Sequence, residues 1–349
     1  MNAAIESTGV AAARHISPAD KFKTLLRREF WENRGGFFWA PVIASGISLF
    51  FALLGSIATL TLAHKVRNSV DGDFDGSGIH LGTGKTAEAF GFVGDFSMFS
   101  GIAIPMLVLV FVLFFYCLGA MYDERKDRSV LFWKSLPVSD TQTVLSKLAW
   151  ALLLAPLLSI AIGVAFGIGH WILSALTIAM NGLPGAGAVF TQAHPFRTVF
   201  KVMSLLPVYA AWSLPTVGWL MFCSAWARSK PFLWAVLVPV MAAAIISWLD
   251  AIPGIEIPHG SVWYVMGMRG LLGIVPLTWF ANPTVGHSLT DQLHSADAID
   301  GPAHLAQSAQ IFLDSSWSAF ATADMWIGIG VGVAFIVAAI RMRRWRDEG

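Results

Sequence analysis

Charge is scarce in this sequence, and so is cysteine. Only 13% of the 349 residues are charged, about half the ~25% of a soluble domain. With 56% hydrophobic residues and a mean hydropathy of +0.64, that shortage excludes an ordinary soluble globule and leaves apolar sequence for several membrane spans. Cys117 and Cys223, the two cysteines, both fall inside apolar runs, so no disulfide framework and no Cys-x-x-Cys metal site is available. The apolar runs have no acidic or basic residue in their middles; His170, Asp250 and Asp324 fall near their ends. Ion-coupled carriers place ionisable groups inside the membrane. A proton- or sodium-driven carrier is therefore disfavoured, and any work is expected to be powered from outside the bilayer. The first 33 residues contain no apolar h-region, so no signal peptide is expected. No Ser/His/Asp arrangement with a nucleophile motif occurs. The chain is not expected to be an enzyme, to hold a cofactor or metal, or to bind nucleic acid.

What is present predicts an all-α membrane protein with six transmembrane helices. The expected spans cover residues 37–63, 101–121, 148–173, 205–227, 231–248 and 324–340, each close to the ~20 residues that cross a bilayer. They form one transmembrane domain over residues 1–349. Residues 1–36 are a tail and an amphipathic interfacial helix, 37–340 the six-span bundle, and 341–349 a closing tail. The helix start is signalled by Ser17 as N-cap, Pro18 at the first position and Asp20 in the first turn. Phe22, Leu25, Leu26 and Phe30 then share one face, with Lys21, Lys23, Arg27 and Arg28 largely elsewhere, which suits an anionic membrane surface. Gly35-Gly36 is expected to end it. Residues 64–99 and 181–201 read as loops, and Gly163, Gly167 and Gly169 as small packing positions in the third span.

Basic residues set the orientation. With the N-terminus inside, 17 of the 23 lysines and arginines fall on the inner side and 6 on the outer. Both termini are therefore expected in the cytoplasm and the protein in the cytoplasmic membrane. Residues 261–280 test the span count. They are apolar and long enough to cross, but carry Arg269 near the middle, together with Pro276 and three glycines. Were they to cross, the arginine-rich tail would lie outside. They are read as a re-entrant or interfacial hairpin within an outer segment, 250–322. Arg269 is expected at the water interface or paired with an outer acid. Two apparent motifs of the first outer loop are set aside. Gly82-Thr83-Gly84-Lys85-Thr86 lacks the first glycine of a P-loop, and Asp71–Gly76 lacks the closing glutamate of an EF-hand loop. His287, Asp291 and His294 have helical spacing that a metal could use.

The stretch that organises the chain is 122–147, a cytoplasmic loop between the second and third spans. A mixed-charge run, Asp123 to Arg128, precedes Val130, Leu131, Phe132 and Trp133, then Leu136-Pro137-Val138-Ser139. Aromatics on a charged loop call for something to pack on them, so the loop reads either as a docking surface for a soluble partner or as a solvated loop whose aromatics rest at the lipid interface. Two stretches also carry a resemblance. Leu26–Glu32 followed by Phe37-Phe38-Trp39-Ala40-Pro41 resembles the first helix and first span of ABC-2 type transporter permeases. Glu124-Arg125, Leu136-Pro137-Val138-Ser139 and Ser146-Lys147 resemble the first cytoplasmic loop of that family. The resemblance implies a permease subunit that exports a substrate and pairs with a second permease chain, as homo- or heterodimer. It also implies that a separate ATP-binding cassette subunit, which holds the ATP and magnesium, rests on a coupling helix. The coupling residues are then Glu124, Arg125, Arg128, Phe132, Trp133, Leu136, Pro137, Val138 and Ser139. The competing classes are a carrier or channel without an ATPase, and a membrane-embedded enzyme or sensor scaffold.

Overall fold

A computed structural model describes residues 17–69, 83–127, 138–182, 186–250, 252, 259–296 and 302–346. Among them helix dominates and no strand occurs. Six helical stretches are long and apolar enough to cross a membrane: Pro18–Lys65, Ala87–Lys126, Asp140–Met180, Ala188–Trp226, Pro231–Asp250 and Ala323–Trp345. The chain is a multi-pass membrane protein; five of the six expected spans fall within these stretches, and the fourth, 205–227, runs one residue past Trp226.

Helix α1 (Pro18–Arg34) is capped by Ser17, whose side chain accepts the Asp20 N–H. It does not stop at Gly35-Gly36. Asn33 leaves helical geometry and makes a kink, then a π-helical turn, Gly35–Trp39, carries the chain into α2 (Ala40–Ser69). The glycines make the bend possible rather than the end. Gly36 packs so closely on Val112 that a Cβ there would lie 2.7 Å from its side chain.

The second span, α3 (Thr83–Gly119), begins well before the expected residue 101. The polar stretch before 100 is helix because Gly91 and Gly94 press on Gln192 and Ala193, where added Cβ atoms would meet neighbours at 2.8 and 2.6 Å. Contact with another part of the chain thus overrides weak local propensity. A short α4 (Tyr122–Lys126) follows. Then come α5 (Asp140–Ala149), a π turn at Trp150–Leu154, and α6 (Ala155–Met180). The expected loop at 181–201 contains α7 (Ala188–Thr191) and leads into α8 (Pro195–Ser204), which precedes the fourth span, α9 (Leu206–Trp226). The fifth is α10 (Pro231–Asp250) and the sixth α14 (Ala323–Arg346).

Between the last two spans lie α11 (His259–Trp263), a π turn at Tyr264–Arg269, α12 (Pro283–Ala296) and α13 (Pro302–Ser315). Residues 261–280 are not one helix. The helix breaks at Gly270 and gives turns, then a 3-10 turn at Thr278–Ala281.

Two helix pairs build the bundle, each at a glycine crossing. On α3 and α6, a Cβ added to Gly101 would lie 2.3 Å from Gly167 Cα, and one on Gly163 would lie 2.6 Å from Ile102 Cα. On α9 and α14, a Cβ on Gly218 would lie 2.7 Å from the Gly332 oxygen. Small residues let helix backbones approach where lipid offers no hydrophobic drive. The expected packing role of Gly163 and Gly167 is met here, and Gly169 faces Leu49. A core of Phe37, Leu113, Cys117, Ala151, Leu220 and Ile336 joins the two pairs. The first helix and the last turn of α14 meet at one end of the bundle, called the near end below; α11 to α13 lie at the far end.

Candidate functional site

At the near end, charged side chains from distant parts of the sequence converge under the core. Glu29 of α1 is wholly buried, and Glu124 of α4, Lys147 of α5 and Arg343 of α14 are nearly so. Lys147 Nζ donates to Glu29 Oε1 at 2.8 Å and lies 3.1 Å from Glu124 Oε1. Arg343 Nη1 donates to Glu124 Oε2 at 2.7 Å and its Nε to Asp140 Oδ1 at 3.1 Å. Arg28 reaches Glu124 Oε1 at 3.4 Å, and Tyr116 OH donates to Glu29 Oε2 at 2.9 Å. Each carboxylate oxygen of Glu29 and Glu124 thus has a donor, which is what makes buried charge tolerable. None of the network's polar atoms is among the buried unpaired ones of the described residues.

An aromatic wall closes the network off from the core. Trp150 stacks on Phe37 at 5.0 Å and on Phe30 at 5.6 Å, and donates its indole N–H to the Leu26 carbonyl. In such surroundings the dielectric is low and paired charges attract strongly. A cavity of about 490 Å³, lined by Glu32, Asn33, Tyr116, Asp123, Glu124 and Lys147 among others, opens beside it.

Arg125 points elsewhere, to the end of α9. It donates to the carbonyls of Ser224 and Ala227, while Ser224 Oγ accepts the N–H groups of Met121 and Tyr122. The turn after the second span is therefore locked to the foot of the fourth. Of the other expected coupling residues, Val138 is half-buried, and Ser139 caps α5 in a reciprocal capping box with Gln142. Arg128, Phe132, Trp133, Leu136 and Pro137 lie outside the described residues. So does the Asp71–Gly76 motif.

Sequence reasoning placed Glu29, Glu124, Arg125 and Lys147 in separate motifs without joining them, and it missed Asp140 and Arg343. A signal existed. Glu29 continues the apolar face of Leu25 and Leu26, and Arg343 follows buried Ile336 and Ala339 at helical spacing. A charge on an apolar stripe is a charge that expects a partner.

The far end holds a second buried arginine. Arg269 is only 4% exposed, which corrects the expectation that it could sit at the water interface. Its guanidinium lies 3.7 Å over the Trp212 ring, donates to the Trp212 carbonyl, and faces Asp324 with Nε 3.8 Å from Oδ1. The expected pairing with an acid is thus present, though long. Asp324 also accepts from Tyr264 at 2.5 Å and Asn282 at 3.1 Å. Helix α12 does carry His287, Asp291 and His294, but no group of three or more His, Cys, Asp or Glu able to hold a metal occurs among the described residues.

The near-end network can join helices and transmit their movement. Comparison with family models, curated proteins and solved structures gave no match to this chain.

Proposed function

We propose that this chain is the membrane-spanning permease subunit of an ATP-binding cassette exporter, driven by a separate ATPase subunit that holds ATP and magnesium and working as a pair of permease chains. The near-end network carries the proposal. Glu124 stands just before residues 128–137, and Asp140 and Lys147 stand just after them. These three flanking residues are tied to α1 and to the foot of the sixth span. A push on the intervening loop would be felt by the feet of spans two, three and six together, as a lever requires. In this reading the work of hydrolysis belongs to the partner.

In this reading the near end is cytoplasmic, matching the 17-to-6 split of basic residues, and the membrane is the cytoplasmic one. Helix α1 lies at its surface, with Lys23 and Arg27 exposed while Leu25 and Glu29 pack inward. The segment from His259 to Ala281 enters from the outer side as a short helix and returns in turns. Buried Ile274 and Trp279 support that course. Phe132 and Trp133 are the apolar anchors of the ATPase contact. Truncating an interface anchor costs ~2 kcal/mol or more. The test is co-purification with the ATPase subunit the proposal requires. Phe132→Ala with Trp133→Ala should release the ATPase at least ~30-fold more readily while the membrane domain keeps its elution profile. A double variant that retains its partner and its substrate-stimulated ATP hydrolysis would refute the docking assignment.

A further inference from the structure

Three cavities follow one another along α3 toward the far end. The first, about 300 Å³, lies between Ile102, Met106, Tyr209, Trp279 and Leu313 and is almost wholly apolar. The second, about 380 Å³, shares Phe99, Leu277 and Leu313 with it. The third, about 270 Å³, shares Phe92, Asp95 and Gln310 with the second and is lined by Glu88, His194 and Arg197. From Leu107 to Glu88 the helix advances about 28 Å, at ~1.5 Å per residue. A bilayer lipid, head included, spans about 20 Å, half of the ~40–45 Å bilayer. The path is therefore long enough for one lipid and changes from apolar to charged along its length.

Two further observations mark it as built for an occupant. Trp279 Nε1 and Gln310 Oε1 are buried without a hydrogen-bond partner, and both residues line the path. Buried polar groups are nearly always paired, so a donor and an acceptor await a ligand's carbonyl and its hydroxyl or amine. The depth is also right. Helix α8 exposes Phe196 (79%) and Phe200 (73%) beside Arg197, the pattern of a helix lying at headgroup level. The third cavity, which contains Arg197, sits at that level. Its charges have both signs, Asp95 and Glu88 against Arg197, and Asp95 accepts the His194 N–H at 2.7 Å. An anionic head would meet the acids and a cationic head the arginine; a zwitterionic head suits both.

We propose that this path binds an acyl-chain amphiphile with a zwitterionic phosphate–amine head, the chain in the apolar cavity beside Trp279 and the head between Asp95 and Arg197. The site rests on the chain being membrane-embedded and needs no ATPase. If the permease reading holds as well, this is its cargo class. The test uses purified full-length protein and lysophosphatidylcholine carrying a diazirine at its chain end. Light should place adducts on residues lining the first cavity, and excess unlabelled lysophosphatidylcholine should cut them at least tenfold in the unaltered protein. Ala103→Trp, which fills that cavity, should do the same. Arg197→Ala should weaken labelling by this probe and leave a monoacylglycerol probe unchanged. A two-chain phosphatidylcholine probe in nanodiscs labels the same residues if the bilayer is the source, and labels only elsewhere if a single-chain lipid is. Adducts spread evenly over α2 and α10, or insensitive to competitor, would overturn the proposal. So would Leu107→Cys cross-linking to a second copy of the chain in place of lipid labelling. Loss of the ATPase partner on co-purification bears on the permease reading and leaves this outcome untouched.

Discussion

Each end of the bundle buries an arginine, and the two surroundings differ. Arg343 at the near end faces Glu124 and Asp140; Glu124 also takes Arg28 and shares Lys147 with Glu29, and the carboxylates of both glutamates are saturated. Arg269 at the far end has one acid, at 3.8 Å, and that acid is already held by Tyr264 and Asn282. Its Nε and Nη2 make no hydrogen bond. Much of its support is an aromatic face and one carbonyl. A saturated network resists rearrangement, because any movement breaks several charge-assisted bonds at once. A cation on a ring, with a long ion pair, has little directional hold. The near end is thus built as a joint that moves as one body, and the far end as a contact that can slide or part. The permease proposed above, pushed from its near end and opening at its far end, would need that asymmetry.

The largest effect that separates the two ends is expected from Lys147. Lys147→Met leaves Glu29 and Glu124 buried with a lost donor, and breaking a buried pair from one side costs ~3–5 kcal/mol. The variant should lose most of its folded yield, or melt far lower by thermal scan in detergent. Glu29→Gln in the same chain should restore much of the loss, since removing both members of a pair costs less than removing one. If Lys147→Met melts like the unaltered protein, the network is not the rigid joint described.

Arg269→Met should cost less. It removes a desolvated cation–π contact worth ~2 kcal/mol but leaves Asp324 with two donors in place. A drop of about 1–2 kcal/mol is expected, clearly smaller than for Lys147→Met when both are unfolded side by side. A larger loss at Arg269 than at Lys147 would invert the comparison and make the far end the rigid one.

The spans were legible because composition alone reports them: lipid demands ~20 apolar residues whatever the packing. The helical stretch from 83 to 100 was not, because Gly91 and Gly94 look like breakers until Gln192 and Ala193 are seen against them. Pairing at the near end was the least legible. Glu124 and Arg343 stand 219 positions apart, and no local pattern links them. Sequence could say that Glu29 and Lys147 belonged to motifs, and that Arg269 needed an acid. It could not say which charges shared a site, because that follows from how α3 crosses α6 and α9 crosses α14 at their glycines, and from the core that joins the two pairs.

The smallest expected effect sharpens the near end itself. Ser139 came out of the sequence as a docking residue, and the structure shows it closing the N-terminus of α5, where it accepts the Gln142 N–H at 3.2 Å and its own N–H reaches Gln142 Oε1. Residues Asp140 and Lys147 ride on that helix, four residues or fewer from its ends. If the cap's task is to hold α5 in register for the network, Ser139→Ala should cost ~1 kcal/mol, the ordinary loss for a removed N-cap. Ser139→Asp should restore it, since a carboxylate caps as well and favours the helix N-terminus. Both should leave co-purification with the proposed ATPase subunit as it was. The opposite pattern, with stability unmoved and the partner lost in both variants, would make Ser139 a contact residue and return the cap to the docking surface.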